Sequence, residues 1–343
     1  MNSFGRLFRV SIFGESHGVN VGVVIDGCPP GISITVEDFS TDLERRKGGT
    51  KGTTPRKEDD LPEIVSGVFN NRSTGAPITI LFKNSNTRSG DYEKQKAVPR
   101  PGHADFVASK KFDGFQDYRG GGHFSGRLTV ALVAAGVVAK KILALTPNPS
   151  PQVERGTNAG IRITSTILEI GGETDLEKGL QKAIDAKDSI GGIVECRVND
   201  LPTGLGEPFF DSAESLISHA VFAIPAVRAI EFGTGFAAAK MFGSKHNDAI
   251  ENGNGKTTTN HAGGVVGGIT NGNELVFRIA IKPTSSTPQE QKTLNVETNT
   301  IEPFSVKGRH DLCIALRVPV VLEAATAIVL ADIMLVSKKI SVK

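Results

Sequence analysis

The segment LTVALVAAGVVAKKILAL, residues 128–145, decides how the rest of this sequence can be arranged. Its alanine, valine and leucine residues occupy most of the circumference of a helix. The sequence therefore predicts a helix over Leu128–Leu145 that is buried on several sides. A second apolar helix is expected from Val320 to about Val336. Both helices need other elements to cover them, and the short strands along the chain are the candidates.

The predicted strands and helices come in groups of hairpins and helices, without strict β-α-β alternation. Such grouping favours an α+β fold, with antiparallel sheets packed on central helices, over a doubly wound parallel sheet. The turn at Gly14–Gly18 separates the first two strands, and Thr35 is a candidate N-cap for the first helix. Strands are predicted at Leu7–Phe13, Val19–Asp26, Glu63–Phe69, Ile78–Lys83, Ile190–Val198 and Val227–Phe232, further helices at 35–47, Ala104–Phe112 and Ser212–Phe222, and a hairpin through Asn271-Gly272-Asn273.

A single domain over residues 1–343 is the organisation that the sequence favours. Pro147–Pro151 is the best candidate for a boundary, but the composition does not shift across it. The polar loop Asn84–Gly102 is long for a compact domain, and loops of that length are usually functional.

The composition excludes several classes of protein. The 39 Lys and Arg residues nearly balance 37 Asp and Glu, which argues against a nucleic-acid binder that relies on a basic surface. No apolar run is expected to approach the ~20 residues that span a bilayer, and Arg6 and Arg9 interrupt any signal-peptide core. Cys28, Cys196 and Cys313 lie too far apart for a disulfide framework or a zinc motif. A cytoplasmic location is therefore expected.

Four short motifs suggest other functions but lack the surroundings that those functions require. Gly14–Gly18 fits the nucleophile elbow of serine hydrolases, yet a strand follows it where a helix is needed. Gly233–Ala238 fits a dinucleotide fingerprint, but too few helical residues follow for a crossover connection. Gly255-Lys256-Thr257 resembles the end of a P-loop, but Ile250 stands where a glycine is required. Arg119–Gly122 occurs once, without the aromatic platform of an RNA-binding segment.

Seven segments, six of which contain glycine, hold the residues best suited to chemistry. Arginine and lysine bind phosphates and carboxylates, glycines let backbone N–H groups approach a ligand, and histidine or aspartate moves protons near neutral pH. The histidine spacing matches no zinc motif, so no metal site is expected. The residues alone indicate an enzyme that acts on a phosphorylated, carboxylated small molecule. The segments are GESHG (14–18), RRKGG (45–49), RPGHAD (100–105), DYRGGGHFSGR (117–127), NHAGG with GG (260–264, 267–268), KPTSS (282–286) and GRHD (308–311).

In this order, and over essentially the whole chain, the seven segments resemble those of the chorismate synthase family. The resemblance implies a β-α-β sandwich with helices between antiparallel sheets, usually assembled as a homotetramer. It also implies a 1,4-elimination of phosphate from 5-enolpyruvylshikimate 3-phosphate, which yields chorismate. The family requires reduced FMN although the net reaction is not a redox change. NADPH is implied only for members that reduce their own flavin, and the absence of a nicotinamide motif favours external reduction here.

The resemblance assigns roles residue by residue. His17 resembles the acid that protonates the leaving phosphate, His103 the group that protonates or stabilises the reduced flavin, and Asp311 the carboxylate beside the flavin N5. Arg46 and Arg127 match the arginines that the family is expected to place on the substrate's phosphate and carboxylates. Flavin-binding positions match His123, Phe124, Ser125, Pro225, Ala226, Gly267, Lys282, Pro283, Thr284, Ser285, Ser286 and Arg309.

The sequence departs from the family pattern at three places. His123-Phe124-Ser125 stands where Arg-Ser-Ser is frequent, so the flavin phosphate is expected to be contacted differently. Lys51 or Gly52 stands where a second arginine is common, and Leu312 replaces a proline with little expected consequence.

Two other functions remain open on the residues alone. One is a flavin-independent, phosphatase-like hydrolase that uses the same histidines and arginines, and the other is a non-enzymatic anion or nucleic-acid binder. His261 and His310 have no assigned role, and Arg45 is expected to be a solvated helix residue.

Overall fold

The computed structural model describes residues 1–56, 58–86, 92, 96–145, 160–306 and 310–337. Its strands, numbered along the chain, are β1 Ser3–Phe4, β2 Arg9–Gly14, β3 Asn20–Asp26, β4 Glu63–Ser66, β5 Val68–Phe69, β6 Arg72–Ser73, β7 Ile78–Lys83, β8 Arg162–Ile170, β9 Gly192–Asn199, β10 Val227–Phe232, β11 Val265–Val266, β12 Ile269–Thr270, β13 Leu275–Ile281, β14 Gln291–Asn295 and β15 Thr300–Phe304. Its α-helices are α1 Ser40–Arg46, α2 Asp105–Lys111, α3 Thr129–Leu143, α4 Leu176–Ala186, α5 Ala213–Val221, α6 Gly243–His246 and α7 Val318–Val336.

Two antiparallel sheets form the outer layers. The first has the strand order β1-β2-β3-β7-β4, and the second has the order β10-β13-β9-β8. On β7, alternate residues Ile78, Ile80 and Phe82 are fully buried, as a strand with one face on the core requires. In the second sheet Phe277 pairs with Cys196, and both are fully buried.

The helices α3 and α7 lie between these sheets and pack on each other. All residues of α3 except Lys140 and Lys141 are buried, which confirms the burial on several sides expected from the sequence. A Cβ on Gly136 would lie 2.3 Å from the Cβ of Ala324, so this glycine allows the two helices to approach closely. α3 contacts β2, β3 and β7, whereas α7 contacts β8 and β9. The α+β sandwich with central helices is confirmed.

The expectation that no apolar run approaches membrane-spanning length is wrong. The segment Ile314–Val336 has 23 residues and is long and apolar enough to cross a membrane by length and composition. Within the fold, 89% of its apolar window is buried, as the core helix of a two-sheet sandwich would be. Its two acidic residues, Glu323 and Asp332, are buried as well, and each accepts several hydrogen bonds.

Other differences from the expected elements are local. β8 and α4 have no counterpart among the expected elements, although RITSTILEI alternates as a half-buried strand does. The hairpin through Asn271–Asn273 does not form: β12 pairs with β11, whereas β13 pairs with β9 and β10. The strand expected over Glu63–Phe69 is split at Gly67, which has a φ of +79°.

Pro147–Pro151, the candidate domain boundary, lies outside the described residues. One hydrophobic core takes side chains from both sheets, and the single-domain organisation stays a prediction.

Candidate functional site

A cavity of about 670 Å³ gathers most of the residues singled out in the sequence. Its walls come from the end of α1, the loops that follow α1 and precede α3, the end of α5 and the start of α7. Thirteen of the seventeen proposed site residues line it: Arg46, His103, His123, Phe124, Ser125, Arg127, Pro225, Ala226, Lys282, Thr284, Ser285, Ser286 and Asp311.

Four proposed site residues are placed otherwise. Arg309 lies outside the described residues. Gly267 is exposed between β11 and β12, and it and Pro283 are not part of the cavity wall. His17 is buried directly behind the wall: a Cβ on Gly120, which does line the cavity, would lie 2.5 Å from the imidazole Cδ2. Gly120 has a φ of +60°, so both its conformation and this contact favour glycine.

Positive charge dominates the cavity. Seven Arg and Lys side chains line it against three acidic ones, Glu58, Asp60 and Asp311. Sequence reasoning gave no role to Lys47, Arg56, Arg100 or Arg317. Lys47 and Arg100 belong to the quoted motifs RRKGG and RPGHAD, so the motifs held a signal for them, whereas Arg317 directly precedes α7 and stands beside no glycine cluster.

Arg46 and Arg127 share one carboxylate. Asp60, whose side chain is fully buried, accepts a hydrogen bond from each guanidinium. Burial would raise the pKa of Asp60, but the charges of Arg46 and Arg127 outweigh it and hold the pKa below its usual value. Burial lowers the pKa of Arg46 to about 10, and its Nε has no hydrogen-bond partner. This cluster keeps one positive charge in excess, together with an unused donor.

Arg100, His103 and Asp105 form a second cluster. Arg100 donates to both carboxylate oxygens of Asp105, at 2.7 and 2.8 Å, and to Ser286 Oγ at 3.1 Å. His103 Nδ1 lies 2.6 Å from Asp105 Oδ1 and 3.1 Å from Arg100 Nη2; a proton on Nδ1 would be donated to the carboxylate. The pKa of Asp105 lies far below its usual value because the bonds from Arg100 and His103 outweigh its burial.

Asp311 is held on several sides. Its Oδ1 accepts the backbone N–H of Thr54 at 2.9 Å, and Arg317 Nη1 donates to its Oδ2 at 3.0 Å. The next residue, Leu312, donates its N–H to the carbonyl of Gly52 at 3.0 Å, a bond that the usual proline could not make. The substitution at position 312 therefore adds a tie between the Asp311 segment and the loop that carries Thr54.

The imidazole of His17 is buried and has positively charged neighbours. Burial and then the charges of Arg56 and Arg119 lower its pKa below the ordinary value of 6.5. Tyr92, which lines the cavity, meets the His17 ring edge-on with centroids 5.1 Å apart. His17 is therefore mostly neutral near pH 7 when no anion lies beside it.

The segments proposed to hold the flavin are bonded to one another. Lys282 donates its backbone N–H to Ala226 O at 2.9 Å, and its Nζ donates to Ser285 Oγ at 2.7 Å. Ser285 Oγ in turn donates to Gly102 O at 2.7 Å, and Thr284 Oγ1 is buried without a partner. His123 Nδ1 donates to Gly14 O at 2.8 Å, so this ring ties the GGGHF turn to the GESHG turn.

Comparisons with known proteins point to one family. A family model described as chorismate synthase matches residues 8–335. The chain is 68% identical to a chorismate synthase of Chitinophaga pinensis, over 99% of this chain and 98% of the relative. It is 44% identical to one of Dehalococcoides mccartyi, over 97% of this chain and 96% of the relative. A crystal structure of a chorismate synthase superposes with a TM-score of 0.70 at 26% identity and covers 97% of this chain and 93% of its own.

Proposed function

This chain belongs to the chorismate synthase family, and we propose that its cavity eliminates phosphate from 5-enolpyruvylshikimate 3-phosphate with reduced FMN bound beside the substrate. The observation that carries the proposal is the convergence of thirteen proposed site residues, from segments up to 265 positions apart, on one cavity with an excess of positive charge. The substrate has a phosphate and two carboxylates, so its charge complements that of the cavity.

Arg46 and Arg127 are the proposed ligands of the substrate's anionic groups. Their shared carboxylate, Asp60, neutralises only one of the two guanidinium groups. An oxygen of the substrate would supply the missing acceptor for Arg46 Nε and the missing negative charge. Because both side chains are already fixed by hydrogen bonds, little side-chain entropy is lost on binding.

His17 is the proposed acid for the departing phosphate. Its lowered pKa favours the neutral ring in the free protein, but a phosphate dianion placed near it would favour protonation. His17 would then be charged when the substrate is bound.

Asp311 is the proposed proton acceptor. His103 is the proposed group that protonates or stabilises the reduced flavin. Its Nδ1 faces Asp105, so its Nε2 is the nitrogen that would hold a proton for the flavin.

The residues of the flavin segments fit a bound FMN. Thr284 Oγ1 is buried without a partner, Lys282 is a half-buried cation with a pKa lowered by burial and by Arg228, and Ser286 Oγ is held by Arg100. Lys282 and Thr284–Ser286 would hold the cofactor together with Pro225 and Ala226. When bound, reduced FMN supplies an electron-rich ring beside the substrate, with no net redox change.

The proposal extends to the setting of the enzyme. We propose a cytoplasmic homotetramer that binds a small-molecule substrate and neither nucleic acid nor membrane. We also propose that its flavin is reduced externally, so that NADPH alone does not support turnover. Gly267 and Arg309 stay in the proposed flavin set because of the family resemblance.

An anaerobic assay tests this function against the hydrolase alternative. Phosphate release from 5-enolpyruvylshikimate 3-phosphate is measured with FMN and dithionite, with FMN alone, and with neither. We expect chorismate and phosphate in equal amounts, only with reduced flavin, and no flavin oxidised per turnover. Phosphate release without flavin, with 5-enolpyruvylshikimate as the product, would instead identify a phosphatase-like hydrolase.

A further inference from the structure

Arg317 contacts two cavity residues that belong to different segments of the chain. It ends the 3₁₀ turn Ile314–Arg317 just before α7. Its Nη1 donates to Oδ2 and Oδ1 of Asp311 at 3.0 and 3.3 Å, and its Nε donates to the backbone carbonyl of Arg46 at 2.9 Å. One side chain therefore joins the proposed proton acceptor to a proposed substrate ligand.

The bond to Arg46 fixes the end of a helix. Arg46 is the last residue of α1, and the last carbonyls of a helix have no partner within it. Arg317 satisfies the carbonyl of the very residue whose side chain reaches Asp60 and, at 3.3 Å, Thr129. The direction in which the Arg46 side chain leaves the backbone therefore depends on Arg317.

The bond to Asp311 completes a frame around that carboxylate. Thr54 N–H holds Oδ1 from one side, and Leu312 and Cys313 donate their N–H groups to Gly52 O. The two bonds to Gly52 O fix the backbone of the segment, while Thr54 N–H and the cation Arg317 hold the side chain.

We propose that Arg317 is a positioning residue that sets Asp311 and Arg46 at a constant relative position across the cavity. This inference rests on the function proposed above, in which Asp311 accepts a proton and Arg46 binds the substrate. Lysine cannot replace it, because a guanidinium presents donors in several fixed directions, whereas an ammonium group is a single nitrogen on a flexible stem.

The test is Arg317→Lys, with Arg278→Lys as the matched control. Arg278 also joins a carboxylate, Glu195 at 2.8 Å, to a backbone carbonyl, Gly233 at 2.9 Å, but it lies on β13 and outside the cavity wall. Both variants lose the same kind of contacts and keep the charge. Both should lower the melting temperature by a similar amount.

Only Arg317→Lys is expected to change function. Its kcat should fall ~10–100-fold, the usual scale for a misplaced catalytic group. The dissociation constant of the substrate, measured without flavin, should rise about tenfold through Arg46. Combining Arg317→Lys with Asp311→Asn should lower kcat little beyond Asp311→Asn alone, because both changes remove the same contribution.

Amide hydrogen exchange separates this inference from the proposed function. Arg317→Lys should speed exchange in peptides covering 44–48 and 310–317, and Arg278→Lys should not, whether or not the protein makes chorismate. Unchanged exchange there, or an unchanged kcat and substrate affinity in an active enzyme, would overturn the positioning role. Losses in kcat that multiply in the double variant would show that Arg317 acts directly on the substrate.

Discussion

Arg45 and Arg46 are adjacent on the last turn of α1, yet their environments are opposite in charge balance. Arg45 donates to both oxygens of Glu323, at 2.7 and 2.8 Å, and to Asp42 at 3.1 Å. Lys140 also contacts both of these acids, so two cations meet two carboxylates. Arg45 is the solvated helix residue that the sequence predicted, with a side chain 42% exposed, and its guanidinium is in addition bonded to the buried Glu323.

Arg46 belongs to the cluster in which two arginines share the single carboxylate of Asp60. This comparison predicts that charge balance, more than residue type, separates a structural arginine from a binding one. We expect the balanced network to stabilise the packing of α1 on α3 and α7, and the unbalanced one to be completed by a ligand.

The largest effect is expected at His17, beside the excess positive charge. His17→Ala should lower kcat by ~10²–10⁴-fold, the range for loss of a positioned acid, while FMN binding is retained. Single-turnover phosphate release and flavin titration on one preparation provide the measurement. A kcat equal to that of the parent protein would reassign His17 to a structural role.

Asp60→Asn should remove the carboxylate that Arg46 and Arg127 share. We expect the free energy of unfolding to fall by ~3–5 kcal/mol, the scale for leaving buried charges without a partner. Saturating substrate or inorganic phosphate should raise the melting temperature of this variant more than that of the parent protein. Equal ligand-induced shifts in both proteins would contradict an anion site completed by the substrate.

Arg46→Gln and Arg45→Gln compare the two neighbours directly. Arg46→Gln should lower kcat/KM by ~100-fold, about 2.7 kcal/mol, through weaker substrate binding. Arg45→Gln breaks only the balanced network, so it should lower the melting temperature with kcat/KM per folded molecule unchanged. A comparable loss of kcat/KM in both variants would show that charge balance does not distinguish the two arginines.

The protonation of His17 should depend on the substrate. Since the folded-state pKa of His17 is lowered, its contribution to stability is present above about pH 6.5 and is lost as the pH falls through that lowered pKa. Substrate phosphate should reverse the shift, so binding near pH 7 should take up a fraction of one proton. Calorimetry in two buffers of different ionisation enthalpy measures the uptake, and His17→Gln is the control that should abolish it.

The smallest effect is expected at His123. If backbone N–H groups of the glycine turn bind most of the flavin phosphate, His123→Ala should weaken FMN binding about tenfold or less, or ~1.4 kcal/mol. Its bond to Gly14 O also predicts a modest loss of thermal stability. A hundredfold rise in the FMN dissociation constant would show that His123 replaces the usual arginine.

The sequence by itself determined the elements that depend on local pattern. The apolar circumference of Leu128–Leu145 predicted α3 within two residues of its ends, and the strand predicted at Ile78–Lys83 matches β7 at its observed bounds. Motif chemistry identified the phosphate- and carboxylate-binding character of the chain, because residue types limit what a site can bind. The order of seven motifs identified the family.

Only the tertiary structure decided which charges are paired. The partner of Arg45 is 278 positions away, and Arg317 reaches the carbonyl of Arg46 from 271 positions away. Such contacts depend on how α1, α3 and α7 pack, and nothing in the dipeptide Arg-Arg records that packing. The same reason places His17 behind Gly120 and leaves Gly267 outside the cavity wall. Local sequence determines conformation and chemical type, whereas burial and charge balance come from distant segments.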